Sequence, residues 1–289
     1  MLGPRWYPLR YVELQQRAWQ SPHRFVVIPA GRRSGKTELA KRILVWRALR
    51  GSPHFRPAFF AAAPTRDQAR RIYWNDLKAL VPPPLVQGIS EGELVITLTN
   101  GARIYVVGMD RPERIEGSPW DGGILDEYAN MKPDSWSAHV RPAMSDRMGW
   151  TWFIGVPEGR NHYYDLYRMA QAEMAEGGGD SEWGAYHWVS AEVLPASEVE
   201  AARRDLDPLS FEQEYEGSFV NFEGQAYYPF DPDLHAVARL AYDTAASLCL
   251  CLDFNVAPGV GLPSKSFSTI PHDLSIIRTI SSPMAFILV

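Results

Sequence analysis

The sequence predicts an α/β fold. Three observations predict it. Short apolar runs of strand character alternate with helical stretches. The first run leads into a loop ending Gly35-Lys36-Thr37 and then a helix. A later apolar run, Gly123-Ile124-Leu125, ends in the paired acids Asp126-Glu127. Strand, glycine loop, Gly-Lys-Thr and helix place backbone N–H groups and a helix N-terminus around phosphate. In that arrangement Gly31, Arg32, Arg33, Ser34, Gly35, Lys36 and Thr37 contact the nucleotide. Lys36 reaches the β and γ oxygens and the Thr37 hydroxyl binds Mg²⁺. Ala30 stands where the first glycine of the motif is usual.

The totals fit this class. A chain of 289 residues, 46% hydrophobic and 22% charged, has ample length for one large domain or two smaller ones. No run approaches the roughly 20 apolar residues of a membrane span. The N-terminus lacks the apolar core of a signal peptide, so the chain reads as cytoplasmic, with no membrane partner. Cys249 and Cys251, two apart in a strand-like run, read as thiols on one face. The net charge of −5 gives no global nucleic-acid footprint, but Arg32, Arg33, Lys36, Lys41, Arg42, Arg47 and Arg50 form a local basic group. Arg66, Arg70 and Arg71 form a second, read mostly as a solvated helix face.

In chain order, residues 11–18 read as a short helix. Gln15, with Gln16 in reserve, stands where an amide can bond the adenine edge, since an amide both donates and accepts. Residues 25–28 are a buried strand. In the helix after Thr37, Leu39, Ile43, Leu44 and Ala48 share a face, Glu38, Lys41 and Arg42 lie off it, and Gly51 stops it. Residues 58–63 are a second buried strand and 66–80 a helix, broken at Pro82-Pro83-Pro84. Strands over 93–99 and 102–107 meet at Asn100-Gly101, a hairpin signal. Residues 109–119 are a loop. In Asp126-Glu127, the first acid serves the metal and the second is the candidate base that polarises the attacking water. Residues 151–154 form another strand, ending Gly155-Val156-Pro157. Residues 161–175 are helical, 186–189 are a candidate strand, and 195–215 are helical. Residues 229–232 look like a linker, and 248–253 are an apolar strand ending in Asp253.

By residue 160 the order of parts resembles the large subunit of phage terminases, the DNA-packaging motors of tailed phages. The resemblance rests on RFVVIPAGRRSGKTELAKR, FAAAPTRDQAR, DRPERIEGSPWDGGILDEYAN, RPAMSDRMGWTWFIGVPEGRNHYYDLY and FEQEYEGSFVNFEGQAYYPFD, and covers residues 10–260. It implies an additional-strand, RecA-like P-loop ATPase domain, with a mainly parallel sheet and helices on both faces. A lid and the start of an RNase H-like nuclease domain follow. Mapped onto this chain, the domains are 1–195, 196–245 and 246–289. The resemblance assigns Lys36 and Thr37 to phosphate and Mg²⁺, Asp126 to the metal, Glu127 to catalysis and Gln15 to adenine. Gly155-Val156-Pro157 falls on the coupling motif, where Thr usually occupies the middle position, so Val156 has no hydroxyl to sense the γ-phosphate. An arginine finger is implied: Arg32 or Arg33 in cis, or Arg114, Arg141 or Arg147 in trans from a ring neighbour.

Asp253 matches the first nuclease carboxylate. Two-metal hydrolysis needs several converging acids, and residues 259–289 do not continue the family pattern, so the chain is expected to be a fragment or to change frame near 259, and to lack nuclease activity. The function implied is an ATP-driven DNA translocase of genome packaging. Its cofactors are ATP and Mg²⁺, and its partners double-stranded DNA, a small terminase subunit and the portal protein, in a homo-oligomeric ring. The alternatives are another helicase-like P-loop DNA ATPase, or a non-catalytic prophage remnant that binds nucleotide only.

Overall fold

A computed structural model describes residues 12–220 and two short strands farther on. The chain divides into two compact units, Met1–Asn221 and Phe222–Val289. In the first unit, α1 (Glu13–Trp19) precedes β1 (Phe25–Pro29) and α2 (Lys36–Arg50). After β2 (Ala58–Ala63), α3 (Arg66–Ala69) runs through a π segment, Arg70–Trp74, into α4 (Asn75–Leu80). Next come β3 (Val86–Ser90), β4 (Val95–Leu98), β5 (Arg103–Gly108), β6 (Gly122–Asp126), α5 (Arg141–Ala143) and β7 (Trp150–Gly155). They are followed by α6 (His162–Gly177), β8 (Trp183–Ala185), α7 (Ala196–Asp205) and α8 (Pro208–Glu214).

The strands make one eight-stranded sheet in the order β3-β4-β5-β2-β6-β7-β1-β8. From β5 to β8 every neighbouring pair is parallel, and only the two pairs made by β4, with β3 and with β5, are antiparallel. A parallel sheet needs helices on both faces, because each strand must bury both sides. The side chains of β1 show it. Val26 and Ile28 enter the core that holds α1, α2 and α4, while Phe25 and Val27 enter the core that holds α6. One strand, β7, lies between β1 and β6. That additional strand opens the space in which the end of β6 meets the start of α2. The α/β class and the mainly parallel sheet agree with the reading of the sequence.

Local chemistry explains where elements start and stop. Thr65 caps the 66–80 helix by accepting from Gln68 N, and Asn161 caps α6 through Tyr163 N. The Asn100-Gly101 hairpin joins β4 to β5, with Gly101 N bonded to Leu98 O at 2.9 Å.

Several elements differ from the sequence reading. The 195–215 stretch is two helices, because Asp207 caps a new one at Pro208. β3 has alternating half-buried and exposed residues and no apolar run, so nothing in Val86–Ser90 announced an edge strand. The strand placed over 186–189 lies instead at Trp183–Ala185, paired with β1. Gly184 hid it: a Cβ there would meet the His23 ring at 2.3 Å, so the position tolerates only glycine, a poor strand former. Trp188 makes only an isolated bridge to Ala30. Among the described residues, no helix is long and apolar enough to cross a membrane.

In the second unit, β9 (Cys249–Cys251) pairs antiparallel with β10 (Phe286–Leu288). Asp253 and the linker over 229–232 lie outside the described residues.

Candidate nucleotide site

The site forms where β1, β6 and β7 end together. The loop after β1 turns sharply into α2. Gly35 caps that helix at φ +82°, a conformation glycine adopts freely. Gly31 is required for a different reason. A Cβ on it would meet Tyr215 O at 2.3 Å and Ser190 Oγ at 2.4 Å. The motif's close-approach glycine is therefore Gly31, and Ala30 instead closes the strand, buried in the core.

The loop is held from outside by backbone and buried polar contacts. Ser34 O accepts from Gln15 Nε2 at 2.8 Å and from Trp188 Nε1 at 3.0 Å. Gly31 N donates to Trp188 O, Ser190 Oγ donates to Arg32 O at 2.6 Å, and Arg32 N donates to Glu214 O at 2.5 Å. The Arg32 guanidinium is also paired with the Glu214 carboxylate. Trp188, Ser190 and Glu214 had no signal in sequence spacing, since they come from elements far along the chain.

Lys36 is buried, and its ammonium makes one long contact, 3.3 Å, to Gly31 O. Burial holds it below the ordinary lysine value, opposed by Glu127 and Asp126 nearby. Thr37 Oγ1 donates to Asp126 Oδ2 at 3.1 Å, so α2 and β6 supply adjacent hard oxygens. Glu127 sits just past β6 at φ +54°, a conformation uncommon for a non-glycine residue. Burial, then the neighbouring Asp126, pushes its carboxyl above the ordinary glutamate value, partly offset by Lys36. The backbone N–H of Val156, nearby, also favours the ionised form. Arg33, in the loop, is also left-handed, at φ +60°, with its side chain exposed.

These contacts revise parts of the sequence reading. Gln15 reaches the loop, but both of its amide atoms are used within the chain, on Ser34 O and Val12 N, and it is 3% exposed. In this structure it braces the Gly31–Thr37 loop. Val156 has no hydroxyl, and its backbone N–H is the part of it that acts on the Glu127 carboxylate. Lys41 and Arg42, placed off the apolar face of α2, are buried at 5% and 2% and paired with Glu38, Lys41 also with Asp76. Arg47 stacks 4.2 Å over Trp150, and burial lowers its value to about 10. Of the first basic group, Arg32, Arg33 and Arg50 remain exposed. Lys41, Arg42 and Arg47 are held in buried ion pairs and a ring contact, which a linear sequence does not reveal.

The three trans arginines are not equivalent. Arg147 bonds Asp121 at 2.6 Å and the carbonyls of Phe55 and Arg56. Asp121 precedes β6, so this pair lies at the edge of the sheet opposite Lys36. Arg141 stacks on Phe25 at the start of β1, on the same edge. Arg114, in the turn Pro112–Ile115, is exposed and makes no side-chain hydrogen bond or ion pair with the described residues. Arg147 is thus a structural cation. Asp121 is 5% exposed on its side chain, and losing its partner leaves a buried charge uncompensated. Arg147→Ala is expected to cost about 3 kcal/mol or more, lowering Tm by roughly 6–12 °C in a thermal melt. A melt within about a degree of the unmodified chain would contradict this.

The residues fit a magnesium nucleotide. Among the described residues, Ser34 Oγ is buried in the loop with no hydrogen-bond partner, Lys36 makes one long contact, and the Thr37 and Asp126 oxygens suit a hard cation that takes few protein ligands. Comparison with known proteins decides the family. Residues 27–232 match the family described as terminase large subunit, T4likevirus-type, N-terminal. The chain belongs to that family. The large terminase subunit of Escherichia phage T5 is 27% identical over 215 residues, 72% of this chain and 47% of its own length. The terminase chain spans less than half the length of the curated relatives it matches. Its fold matches the large terminase ATPase domain of Thermus phage P74-26 with a TM-score of 0.62 and 25% identity, covering 73% of this chain and 94% of that one. A large terminase from a thermophilic bacteriophage, solved in complex with ADP, matches at a TM-score of 0.61 and 18% identity, over 85% of this chain and 62% of that one.

Proposed function

We propose that this chain carries the ATPase of a phage DNA-packaging motor. One observation carries the reading. Lys36 and Thr37 of the phosphate loop converge with Asp126 and Glu127 at one end of the sheet, Thr37 and Asp126 within 3.1 Å. ATP phosphates would lie along the Gly31–Thr37 loop, with Lys36 compensating their charge. Mg²⁺ would be held on the side of Thr37 and Asp126, where it supplies charge neutralisation when bound. Glu127, beside Asp126 and near Lys36, takes the role of base toward the attacking water. The backbone N–H of Val156 acts on that carboxylate, which supports the loop after β7 as a coupling element despite its missing hydroxyl.

Arg32 is the cis arginine best supported for the γ-phosphate. Its side chain is 61% exposed and paired with Glu214, so a triphosphate competes with Glu214 for it. That competition would link the nucleotide to α8 and thus to the 196–245 segment, read as a lid. Arg114 is the candidate finger from a neighbouring copy, because its guanidinium is uncommitted among the described residues. The proposed partners are double-stranded DNA gripped through its phosphates, a small terminase subunit and a portal ring, with the chain acting in the host cytoplasm.

Hydrolysis of ATP by the purified chain, with and without linear duplex DNA and with Mg²⁺ titrated, tests the reading. Mg²⁺-dependent turnover stimulated by DNA is expected. Nucleotide binding without turnover under either condition would favour the binding-only remnant instead.

A further inference from the structure

The helix after β2 is interrupted by a π segment, Arg70–Trp74. A π turn inserts an extra residue, rotates the side chains around it, and occurs frequently at functional sites. Here it accompanies an inward Tyr73, which is fully buried. The phenol donates to Asp126 Oδ2 at 2.9 Å. The same oxygen accepts from Thr37 Oγ1 at 3.1 Å, and Asp126 Oδ1 accepts from Glu127 N at 2.9 Å. The carboxylate is thus fixed from α2, from the π segment and from its own chain. The phenol is kept protonated, because burial and the adjacent Asp126 hold it well above the ordinary tyrosine value. Around it, Lys41 lies 5.8 Å from the ring centroid and is itself held by Asp76 at 2.6 Å.

A purely packing role does not account for the hydroxyl. Burying an O–H costs free energy unless it is bonded, and a phenylalanine would fill the same space. The hydroxyl is spent on the carboxylate that faces the phosphate loop. Oδ2 accepts from two donors, and one of them, the Thr37 hydroxyl, also turns toward a bound cation. The other donor must then keep the carboxylate from rotating.

We infer that Tyr73 is a positioning residue, whose hydroxyl holds Asp126 in the orientation that, with Thr37, receives Mg²⁺. The inference rests on the ATP-site reading of Thr37 and Asp126. Partners that orient a ligand in this way are typically worth about 10–100-fold in metal affinity or activity.

The test is Tyr73→Phe, with binding of a fluorescent ATP analogue measured across a Mg²⁺ titration and in EDTA. Half-saturating Mg²⁺ is expected to rise at least about 10-fold, with affinity in EDTA unchanged. A cooperative melt checks that the isosteric ring keeps the fold. Asp126→Asn gives the second arm: Tyr73→Phe should add nothing in that background, since the two act as one unit. The same Mg²⁺ dependence in the unmodified chain and Tyr73→Phe, or an undiminished effect in Asp126→Asn, overturns the role of Tyr73 while leaving the ATP site standing. Nucleotide affinity that ignores Mg²⁺ in the unmodified chain overturns the ATP-site reading and takes this inference with it.

Discussion

Lys36→Ala is expected to reduce ATP turnover by at least about 10²-fold, the scale of losing a positioned charge on a transferring phosphoryl group, and to leave the fold intact. The second half follows from the burial of Lys36. Its ammonium is 6% exposed with a single 3.3 Å contact to Gly31 O, and burial lowers its affinity for a proton. Without phosphate, that charge is costly to keep inside. Removing it therefore costs no buried ion pair, and the thermal melt should stay level or rise. Steady-state turnover and a melt on the same preparation check both halves. Turnover at the unmodified level would remove the phosphate loop from the mechanism.

Glu127→Gln should be as damaging for a different reason. Glutamine keeps the shape, but it cannot take a proton from water. Loss of a positioned base costs about 10²–10⁴-fold, so turnover collapses while nucleotide binding persists. That split between kcat and binding separates Glu127 from Lys36, whose loss harms both. The pH profile gives an independent check. Glu127 works only when deprotonated, and burial with the adjacent Asp126 raises its value above that of an ordinary glutamate. As pH falls, activity should fail at a higher pH than a solvent-exposed glutamate would allow. An acid limb of kcat/KM in the ordinary carboxylate range would argue against Glu127 as the base.

Much of this site was legible in one dimension. Gly35-Lys36-Thr37 between strand and helix, and an apolar run ending in Asp126-Glu127, are local patterns, because the elements that carry them are themselves local. Their chemistry did not depend on knowing the sheet order. The arginines were another matter. Arg32, Arg47, Arg114, Arg141 and Arg147 are the same residue in sequence. Only packing separates an arginine stacked on Trp150 from one clamped to Asp121 or one left in solvent. At Val156 the sequence shows a side chain without a hydroxyl and conceals that its main-chain N–H acts on the Glu127 carboxylate. Gln15 shows the opposite case: spacing brought it to the right loop, but the partner of its amide is a carbonyl of that loop.

What the sequence determined by itself was the kind of ligand and the kind of chemistry: a glycine loop for phosphate, a hydroxyl and a carboxylate for a hard cation, and a second carboxylate beside it. These are properties of residue type and short-range order. Tertiary structure decided which groups complete the site. Tyr73, Trp188, Ser190 and Glu214 arrive from a π segment, the stretch after β8 and a late helix, and each acts through one or two hydrogen bonds or ion pairs. Such contacts depend on direction and on distances of about 3 Å. They exist only after β7 has entered between β1 and β6 and brought the end of β6 to the start of α2.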